Sequence, residues 1–366
     1  MIDRLAGDQK LTKPDEAYPA QRQEGLTLGA FDLVGASVRG KMHIRNGIGR
    51  EDAFAVYRAG DWLAVAVSDG VGSSRHASLG ATFAVNDVCQ NLLEEIHKMS
   101  RNEANVDSDC QDNTAPLKEQ LSGAMYTSYA KTSANLQNYA NELRDEQAAQ
   151  ENQLETADTT SEANPSNTDI EAILSFTDMN GLDIQLKKQE EKGNSGKTEG
   201  KSFLPDSPIS VSDLHCTLLA LLINAKSGMI AMGQVGDGLI LGLTREYEAR
   251  PIIEPLTPEQ TGQVHAITQK DWHKFWESKI LSSAESINFI TLYLMTDGVA
   301  DDCQYPPPED ILQQWAFGMD AEVRKYDVSL TKMRLAKYLA NYEAKGSYDD
   351  RTLVMLYKPT LNIEAK

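Results

Sequence analysis

The residues best suited to chemistry are acidic, and they fall in five short motifs far apart in the chain. Arg50-Glu51-Asp52 stands just before Ala53-Phe54-Ala55-Val56. Ser68-Asp69-Gly70-Val71-Gly72 follows the apolar residues 62–67, and Val235-Gly236-Asp237-Gly238 follows residues 229–232. Thr296-Asp297-Gly298 follows residues 289–295, and Asp349-Asp350 precedes residues 352–356. An Asp at the end of a strand has its backbone fixed by the sheet while its carboxylate is free to leave it. Several such ends converging make a cluster of oxygen ligands for hard divalent cations. One Asp-Gly after a strand is ordinary turn chemistry; the order and context of all five are what point to a site.

The elements that must position these residues follow from periodicity. Residues 31–68 read as strand, loop, strand, turn, strand. After Gly72 the period changes: Ala81, Val85, Val88, Leu92 and Ile96 recur at helical spacing, with Ser73 or Ser74 available as N-cap. A second helix is expected over residues 117–143. The apolar runs 216–223, 229–235 and 239–243 read as a three-stranded meander. Residues 309–343 carry helical periodicity, and 352–357 read as a final strand. Strands, two helices, more strands and a helix imply an α+β fold, an antiparallel sheet structure with helices segregated outside it.

Residues 1–25 are polar and lack periodicity, so they read as a flexible lead-in to a domain over 26–366. Residues 145–210 are rich in Glu, Gln, Asn, Thr, Ser and Lys and read as an acidic, low-complexity, partly disordered insertion, with a docking element around 170–186 as the alternative. Residues 244–286 are mixed in composition, hold Trp272 and Trp276, and read as a lid or small subdomain.

Composition bounds the function. Fifty-four acidic residues against 35 basic ones give a net charge of −19. That argues against nucleic acid and anionic membrane surfaces as partners, both of which need a basic face. A phosphorylated substrate stays open, because bound metals reverse the local charge. Cys89, Cys110, Cys216 and Cys303 have neither zinc nor disulfide spacing and read as free thiols. No apolar segment follows a basic start and none approaches the ~20 residues that span a bilayer. A soluble cytoplasmic protein is the expectation.

In this order the five motifs resemble those of the metal-dependent (type 2C) serine/threonine protein phosphatases, above all their bacterial branch. The likeness covers residues 30–100 and 214–358. It rests on Gly40-Lys41-Met42-His43-Ile44-Arg45-Asn46-Gly47 before Glu51-Asp52-Ala53, and on the blocks around Asp69, Asp237, Asp297 and Asp349-Asp350. The resemblance implies a four-layer αββα sandwich, two antiparallel sheets between helix pairs, with metals at one end between the sheets. It implies that Asp69 bridges two Mg²⁺ or Mn²⁺ ions, with the Gly70 carbonyl as a further ligand. Asp297 and Asp349 would bind one metal, and Asp52, or Glu51 beside it, would bind the other or hold its water. Asp237 with Asp297 would hold a weaker third ion, and Arg45 would clamp the phosphate.

The residue types suit that chemistry. Carboxylates suit Mg²⁺ and Mn²⁺ better than thiolates or imidazoles do. Two cations offset the repulsion between a phosphomonoester and its nucleophile, and they lower the pKa of a bridging water so that hydroxide can attack phosphorus in line. Arg offers phosphate a planar fork.

This sequence also departs from the family. Val71 stands where eukaryotic members have the His proposed as leaving-group acid, leaving metal-bound water, His43 or His76 as alternatives. Glu51 replaces a Gln common in the bacterial branch. Arg39, Lys41 and Arg50 compete with Arg45 for the clamp. Asp350 competes with Asp349, though register against Thr352 favours Asp349. Asp301 and Asp302 read as cap or turn residues. The implied activity is hydrolysis of phosphoserine or phosphothreonine in proteins, with a serine/threonine kinase or its targets as partner. Two rivals are a catalytically weak or inactive member used as a binding or regulatory module, and a metal hydrolase acting on small phosphate metabolites or nucleotides. The absence of a G-x-x-x-x-G-K-[ST] loop lowers the nucleotide option.

Overall fold

The structure is a computed structural model, and it describes residues 1–10, 20–28, 31–103, 114–158, 207–253, 264–301, 309–341 and 348–359. In chain order the strands are β1 (Asp3–Gly7), β2 (Gln21–Thr27), β3 (Asp32–Val38), β4 (Ala53–Ala59), β5 (Trp62–Ser68), β6 (Leu218–Asn224), β7 (Ile230–Val235), β8 (Leu239–Thr244), β9 (Ala249–Ile253), β10 (Glu277–Leu281), β11 (Phe289–Met295) and β12 (Arg351–Tyr357). The helices are α1 (Lys41–Asn46), α2 (Ala77–Glu103), α3 (Thr114–Asp158), α4 (Ser283–Ser286), α5 (Asp297–Ala300), α6 (Glu309–Val323) and α7 (Val328–Asn341). One compact unit comprises residues 1–144 and 209–366, and a second comprises 145–208. Of the second, the described part is the end of α3 and residues 207–208.

Alternation along the strands builds the layers. In β5, Leu63, Val65 and Val67 face one side while Ala64 and Ala66 face the other. In β6, Leu219, Leu221 and Ile223 oppose Leu218, Ala220 and Leu222 in the same way. A residue period of 2 thus gives each strand two buried faces. The first face meets the partner sheet, where Phe54, Leu221, Leu294, Val354 and their neighbours form the central core. The second face meets helices. Ala53, Ala55, Ala64 and Ala66 keep that face shallow, and Val85, Val88, Leu92 and Ile96 of α2 pack on it with Leu121, Met125 and Leu136 of α3. On the other side Val34, Ala36, Leu353 and Met355 pack with Leu312, Ala316, Leu335 and Leu339 of α6 and α7. The result is the expected αββα sandwich of two antiparallel six-stranded sheets, ordered β1-β4-β5-β6-β7-β10 and β2-β3-β12-β11-β8-β9.

Several expectations need correction. The apolar runs 216–223, 229–235 and 239–243 are not a meander. β6 and β7 pair as a hairpin, but β8 leaves for the other sheet and pairs with β9 and β11, while β7 takes β10 as its second neighbour. A two-residue-scale turn looks the same in sequence whether it folds back or crosses over. Residues 1–25 are not a loose lead-in where they are described: β1 pairs with β4 and β2 with β3 along its full length. Both are edge strands, and the polar Gln21-Arg22-Gln23-Glu24 pattern hid β2 because an edge strand buries little. Helix α3 does not stop at 143 but runs to Asp158, through the start of the expected insertion; residues 159–206 and the proposed docking element lie outside the described residues. Neither Ser73 nor Ser74 caps α2, which begins at Ala77; Ser74 Oγ instead donates to the Ser212 carbonyl.

Candidate metal centre

Three of the strand ends converge. Asp69 follows β5, Asp237 lies in the crossing from β7 to β8, and Asp297 follows β11. One carboxylate oxygen of each lies within 4.8 Å of the others. The crossing that defeats the meander is what brings Asp237 to the seam between the sheets. Gly236 makes the turn at φ +112°, and a Cβ there would lie 2.6 Å from the Thr217 side chain. Buried Gln234 then fixes the turn, donating from Nε2 to the Gly236 and Gly238 carbonyls at 3.2 and 2.7 Å.

Asp69 is held through its backbone. Its N–H donates to Thr217 Oγ1 at 3.0 Å, and its carbonyl accepts from the Thr217 N–H at 2.8 Å. Gly70 bridges to Cys216 and lies against Ala77, where a Cβ would come within 2.8 Å. The backbone thus fixes Asp69 without using its carboxylate.

Asp52 is fully buried between the sheets. Its Oδ2 accepts from Thr296 Oγ1 at 2.9 Å and Thr352 Oγ1 at 2.7 Å. Its Oδ1, like Oδ1 of Asp237, is buried with no hydrogen-bond partner among the described residues. A buried, unpaired carboxylate oxygen is costly unless something else satisfies it.

Asp349 and Asp350 have different tasks. Asp350 is buried, and its carboxylate accepts from the backbone N–H groups of Gly40 (2.6 Å), Glu51 and Asp52 (3.4 Å). It ties the final strand to the loop that carries Glu51 and Asp52. Asp349 keeps a 40% exposed side chain whose charge acts on Asp52, Asp69, Asp237 and Asp297.

His43 is the buried residue of α1 and sits among these acids. Its Nδ1 lies 3.0 Å from Asp350 Oδ1, and its Nε2 lies 3.4 Å from Asp349 Oδ1 and 3.8 Å from Glu51 Oε2. Burial lowers its pKa, but the Asp350 hydrogen bond and the Asp350, Glu51 and Asp349 charges outweigh that and raise it to about 9. Its neighbours make His43 a cationic brace among carboxylates rather than an alternative acid.

The electrostatics run one way. Burial and then the Asp297, Asp52 and Asp349 charges hold the Asp69 carboxyl well above its usual range. Burial and the Asp237 and Asp349 charges do the same at Asp297; at Asp237 burial and the Asp301 charge raise the carboxyl, opposed by its backbone hydrogen bond. Asp52 rises to about 7 through burial and Asp350, offset in part by Asp69 and Thr352. Asp301, exposed one helical turn after Asp297, adds its charge at Asp237 and Asp297 rather than serving only as a turn residue; Asp302 lies outside the described residues.

Bound divalent cations reverse both effects, because they make the ionised carboxylates the favoured form and satisfy the unpaired oxygens. The donors are oxygens, which suits hard cations. Cys216 lies close by but is buried, its thiol pushed up to about 12, so it offers no thiolate.

Arg45 makes no hydrogen bond or ion pair with the carboxylates or elsewhere among the described residues, and it lies exposed on α1. Among its competitors, Arg50 is buried against Asp8 and unavailable to a ligand, and Arg39 Nη1 donates to the Ile48 carbonyl. Val71 is half-buried and its N–H donates to the His215 carbonyl; His76 stands at the start of α2 with its N–H on the Asp213 carbonyl. Among the described residues no helix is long and apolar enough to cross a membrane.

A sequence model of the protein phosphatase 2C family matches residues 39–340, and the chain belongs to that family. Comparison with curated protein sequences returns no match. Among solved structures, the serine-threonine phosphatase 2C from Toxoplasma gondii is 12% identical, with 93% of this chain and 99% of that one covered at a TM-score of 0.49. Serine/threonine phosphatase Stp1 from Staphylococcus aureus is 12% identical, with 91% and 96% covered at a TM-score of 0.45. RsbX in complex with magnesium is 11% identical, with 92% and 98% covered at 0.42.

Proposed function

We propose that the chain is a metal-dependent phosphatase that hydrolyses phosphoserine or phosphothreonine in proteins, using Mg²⁺ or Mn²⁺. The observation that carries this reading is the convergence of Asp69, Asp237 and Asp297 within 4.8 Å, beside buried Asp52 with one unpaired oxygen. Membership of a family of metal-dependent protein phosphatases supports it.

Asp69, with the Gly70 carbonyl, stands centrally and is suited to hold two ions. Asp297 and Asp349 would hold one of them, Asp52 or Glu51 would orient the other, and Asp237 with Asp297 and Asp301 would offer a third, weaker position. When bound, the cations supply charge neutralisation for the phosphoryl oxygens and a water acidic enough to attack near neutral pH. The protein's own contribution is placement. Thr217 fixes Asp69, Gln234 fixes the Asp237 turn, Thr296 and Thr352 fix Asp52, and Asp350 fixes the loop bearing Glu51. His43 offsets part of the negative charge beside Asp349. Arg45, on a short exposed helix beside the site, is suited to meet a phosphorylated protein from solvent. The phosphoprotein is a serine/threonine kinase or one of its targets, and buried free Cys89 and Cys216 suit a reducing cytoplasm.

A second reading, a phosphatase-fold binding module with weak or no activity, draws on Val71 and on the solvent-facing Arg45. Mn²⁺-dependent phosphate release from a phosphothreonine peptide, with Asp69→Asn alongside, decides between them. Release that needs metal and disappears in the variant supports hydrolysis at this site. No release with any divalent metal, from folded protein, moves the reading to the binding module.

A further inference from the structure

At the end of the sandwich remote from the carboxylates, a cavity of about 170 Å³ opens into the central core. Strands β11 and β12 join it to the metal centre. Phe289, at the start of β11, lines the cavity, and Met295 ends that strand just before Asp297. Leu356, near the end of β12, lines it as well, and Asp349 stands just before the start of that strand. The length of β11 sets the two places about 20 Å apart, at ~3.4 Å per residue. The walls are apolar. Phe31, Ile230, Leu292 and Leu356 belong to the cluster between the sheets, and Phe289 packs against it.

Among the described residues, Lys358 is the one charged residue in the lining. Its Nζ donates to the Ile287 carbonyl at 3.3 Å, and Arg245 Nε donates to the same carbonyl at 3.1 Å. One oxygen thus sets two cations side by side, and neither makes an ion pair among the described residues. Burial lowers the Lys358 pKa and the Arg245 charge lowers it further, with no acidic group opposing them. The acid of α4, Glu285, is engaged by Lys118 at 2.8 Å. Asp32, next to Phe31, acts instead on Tyr357, which packs on the helix-facing side of the sheet. An ammonium has three N–H donors, and Lys358 uses one of them on Ile287. The mouth is held by its own bonds. Ser286 Oγ donates to the Gly228 carbonyl at 2.5 Å, and the Arg245 N–H donates to the Asn288 carbonyl at 2.8 Å. Ile287, 53% exposed, stands at the rim.

We propose that this cavity binds a small organic acid, a carboxylate carrying one aromatic ring or an acyl chain of similar bulk. Size and charge select that class together. An apolar cavity of about 150 Å³ holds one benzene, so the space here suits a single ring. A neutral hydrocarbon would fill the walls and leave two adjacent cations unmatched. An inorganic anion would meet the cations and leave the walls empty. A carboxylate at Lys358 with its apolar tail among Phe31, Ile230 and Leu292 satisfies both, and charge-assisted hydrogen bonds of this kind are the strong ones. The site shares no residue with the carboxylate cluster, so the inference goes beyond the phosphatase reading and does not depend on it.

The test uses the full chain, with phenylacetate as the probe, 2-phenylethanol as its neutral counterpart and acetate as the anion without a ring. Saturation-transfer NMR titrations in EDTA measure binding, and EDTA keeps the probe from binding through a metal. Wild type should bind phenylacetate with a Kd of roughly 1 mM or tighter. That should be about tenfold tighter than 2-phenylethanol, the size of one charge-assisted hydrogen bond. Lys358→Met keeps the apolar stem and removes the ammonium. It should weaken phenylacetate about tenfold and leave 2-phenylethanol within about twofold. Leu292→Phe fills the cavity and should weaken both ring compounds; Lys358→Met, at a half-buried position, decides the matter if that variant fails to fold. No phenylacetate binding at about ten times that Kd overturns the inference. So does equal binding of phenylacetate and 2-phenylethanol, or a preference untouched by Lys358→Met. Acetate that displaces phenylacetate at equal concentration would mean a surface anion contact without the cavity, and would overturn it as well.

Discussion

Asp8 and Arg50 form a buried two-point ion pair, and the same guanidinium holds a candidate metal ligand in place. Arg50 Nη2 lies 2.6 Å from Asp8 Oδ1, and Nη1 lies 3.1 Å from Asp8 Oδ2. Nη1 also donates to Ser37 Oγ and to the Asp52 carbonyl, each at 2.6 Å. Asp8 Oδ2 accepts the Phe54 N–H at 3.2 Å. The chain just beyond β1 thus braces, beside the neighbouring strand β4, the residue at the heart of the site.

Breaking that pair should be costly, because it strands a buried charge. Asp8→Ala should lose about 3–5 kcal/mol in urea unfolding. Replacing both partners, Asp8→Leu with Arg50→Met, should recover most of the loss, since two charges then no longer need burial. A loss below about 1 kcal/mol for Asp8→Ala would mean that the pair is not buried as described.

Asp349 and Asp350 should separate in experiment as they do in geometry. Asp350→Asn weakens acceptance of three backbone N–H groups and should cost about 2–3 kcal/mol of stability. Asp349→Asn should leave unfolding within about 0.5 kcal/mol, as for other partly exposed positions. It should raise the Mn²⁺ concentration for half-maximal phosphate release by at least about tenfold. The reverse pattern would exchange the two roles.

The parts legible in the sequence were those whose physics is local. An apolar run ending in Asp-Gly announces a strand and its turn, so the ends of β5 and β11 could be read directly, whereas the αββα sandwich came from the family resemblance. The path of β8 could not, because nothing in Gly236-Asp237-Gly238 distinguishes a hairpin from a crossing between sheets. That crossing places Asp237. Strands β1 and β2 were illegible because edge strands keep polar faces, and with them went Asp8, the partner of Arg50. His43 was visible as a histidine near the first acidic pair, but its place between Asp349 and Asp350 depends on a contact spanning most of the chain. Arg45, carried over from a family pattern, stands exposed on α1 with no hydrogen bond or ion pair among the described residues.

Stability of the metal-stripped protein should fall as pH rises. Burial pushes the Asp52 carboxyl up to about 7, and burial with neighbouring charges raises Asp69 and Asp297. A carboxyl raised in the folded state binds its proton more tightly there than in the unfolded chain, where the pKa is near 4. The folded state then holds more protons, so stability is full below about pH 4 on this account and is lost as pH rises through about 7. The melting temperature in EDTA should therefore drop between pH 5.5 and 8, against a smaller change with saturating Mn²⁺. The gain on adding Mn²⁺ should be larger at pH 8 than at pH 5.5. A flat EDTA profile would show that these carboxyls do not titrate as a buried cluster.

One substitution should have opposite effects at two glycines. A Cβ at Gly298 would lie 1.9 Å from the Asp350 carbonyl oxygen, which is backbone and cannot rotate aside. Gly298→Ala must push α5 away from the start of β12, moving Asp297 and Asp349 apart. It should lose about 1–3 kcal/mol from overpacking and weaken Mn²⁺ activation as well. Gly318 lies inside α6 with nothing among the described residues within 4 Å of its missing Cβ. There Gly318→Ala should gain about 0.5–1 kcal/mol, because alanine loses less conformational freedom in a helix. Parallel melts of the two variants, with Mn²⁺ titrations of phosphate release, check both signs. A neutral Gly298→Ala would mean that the Asp297 turn and the Asp350 backbone are not in contact, and the packing that sets the spacing of the metal ligands would need another cause.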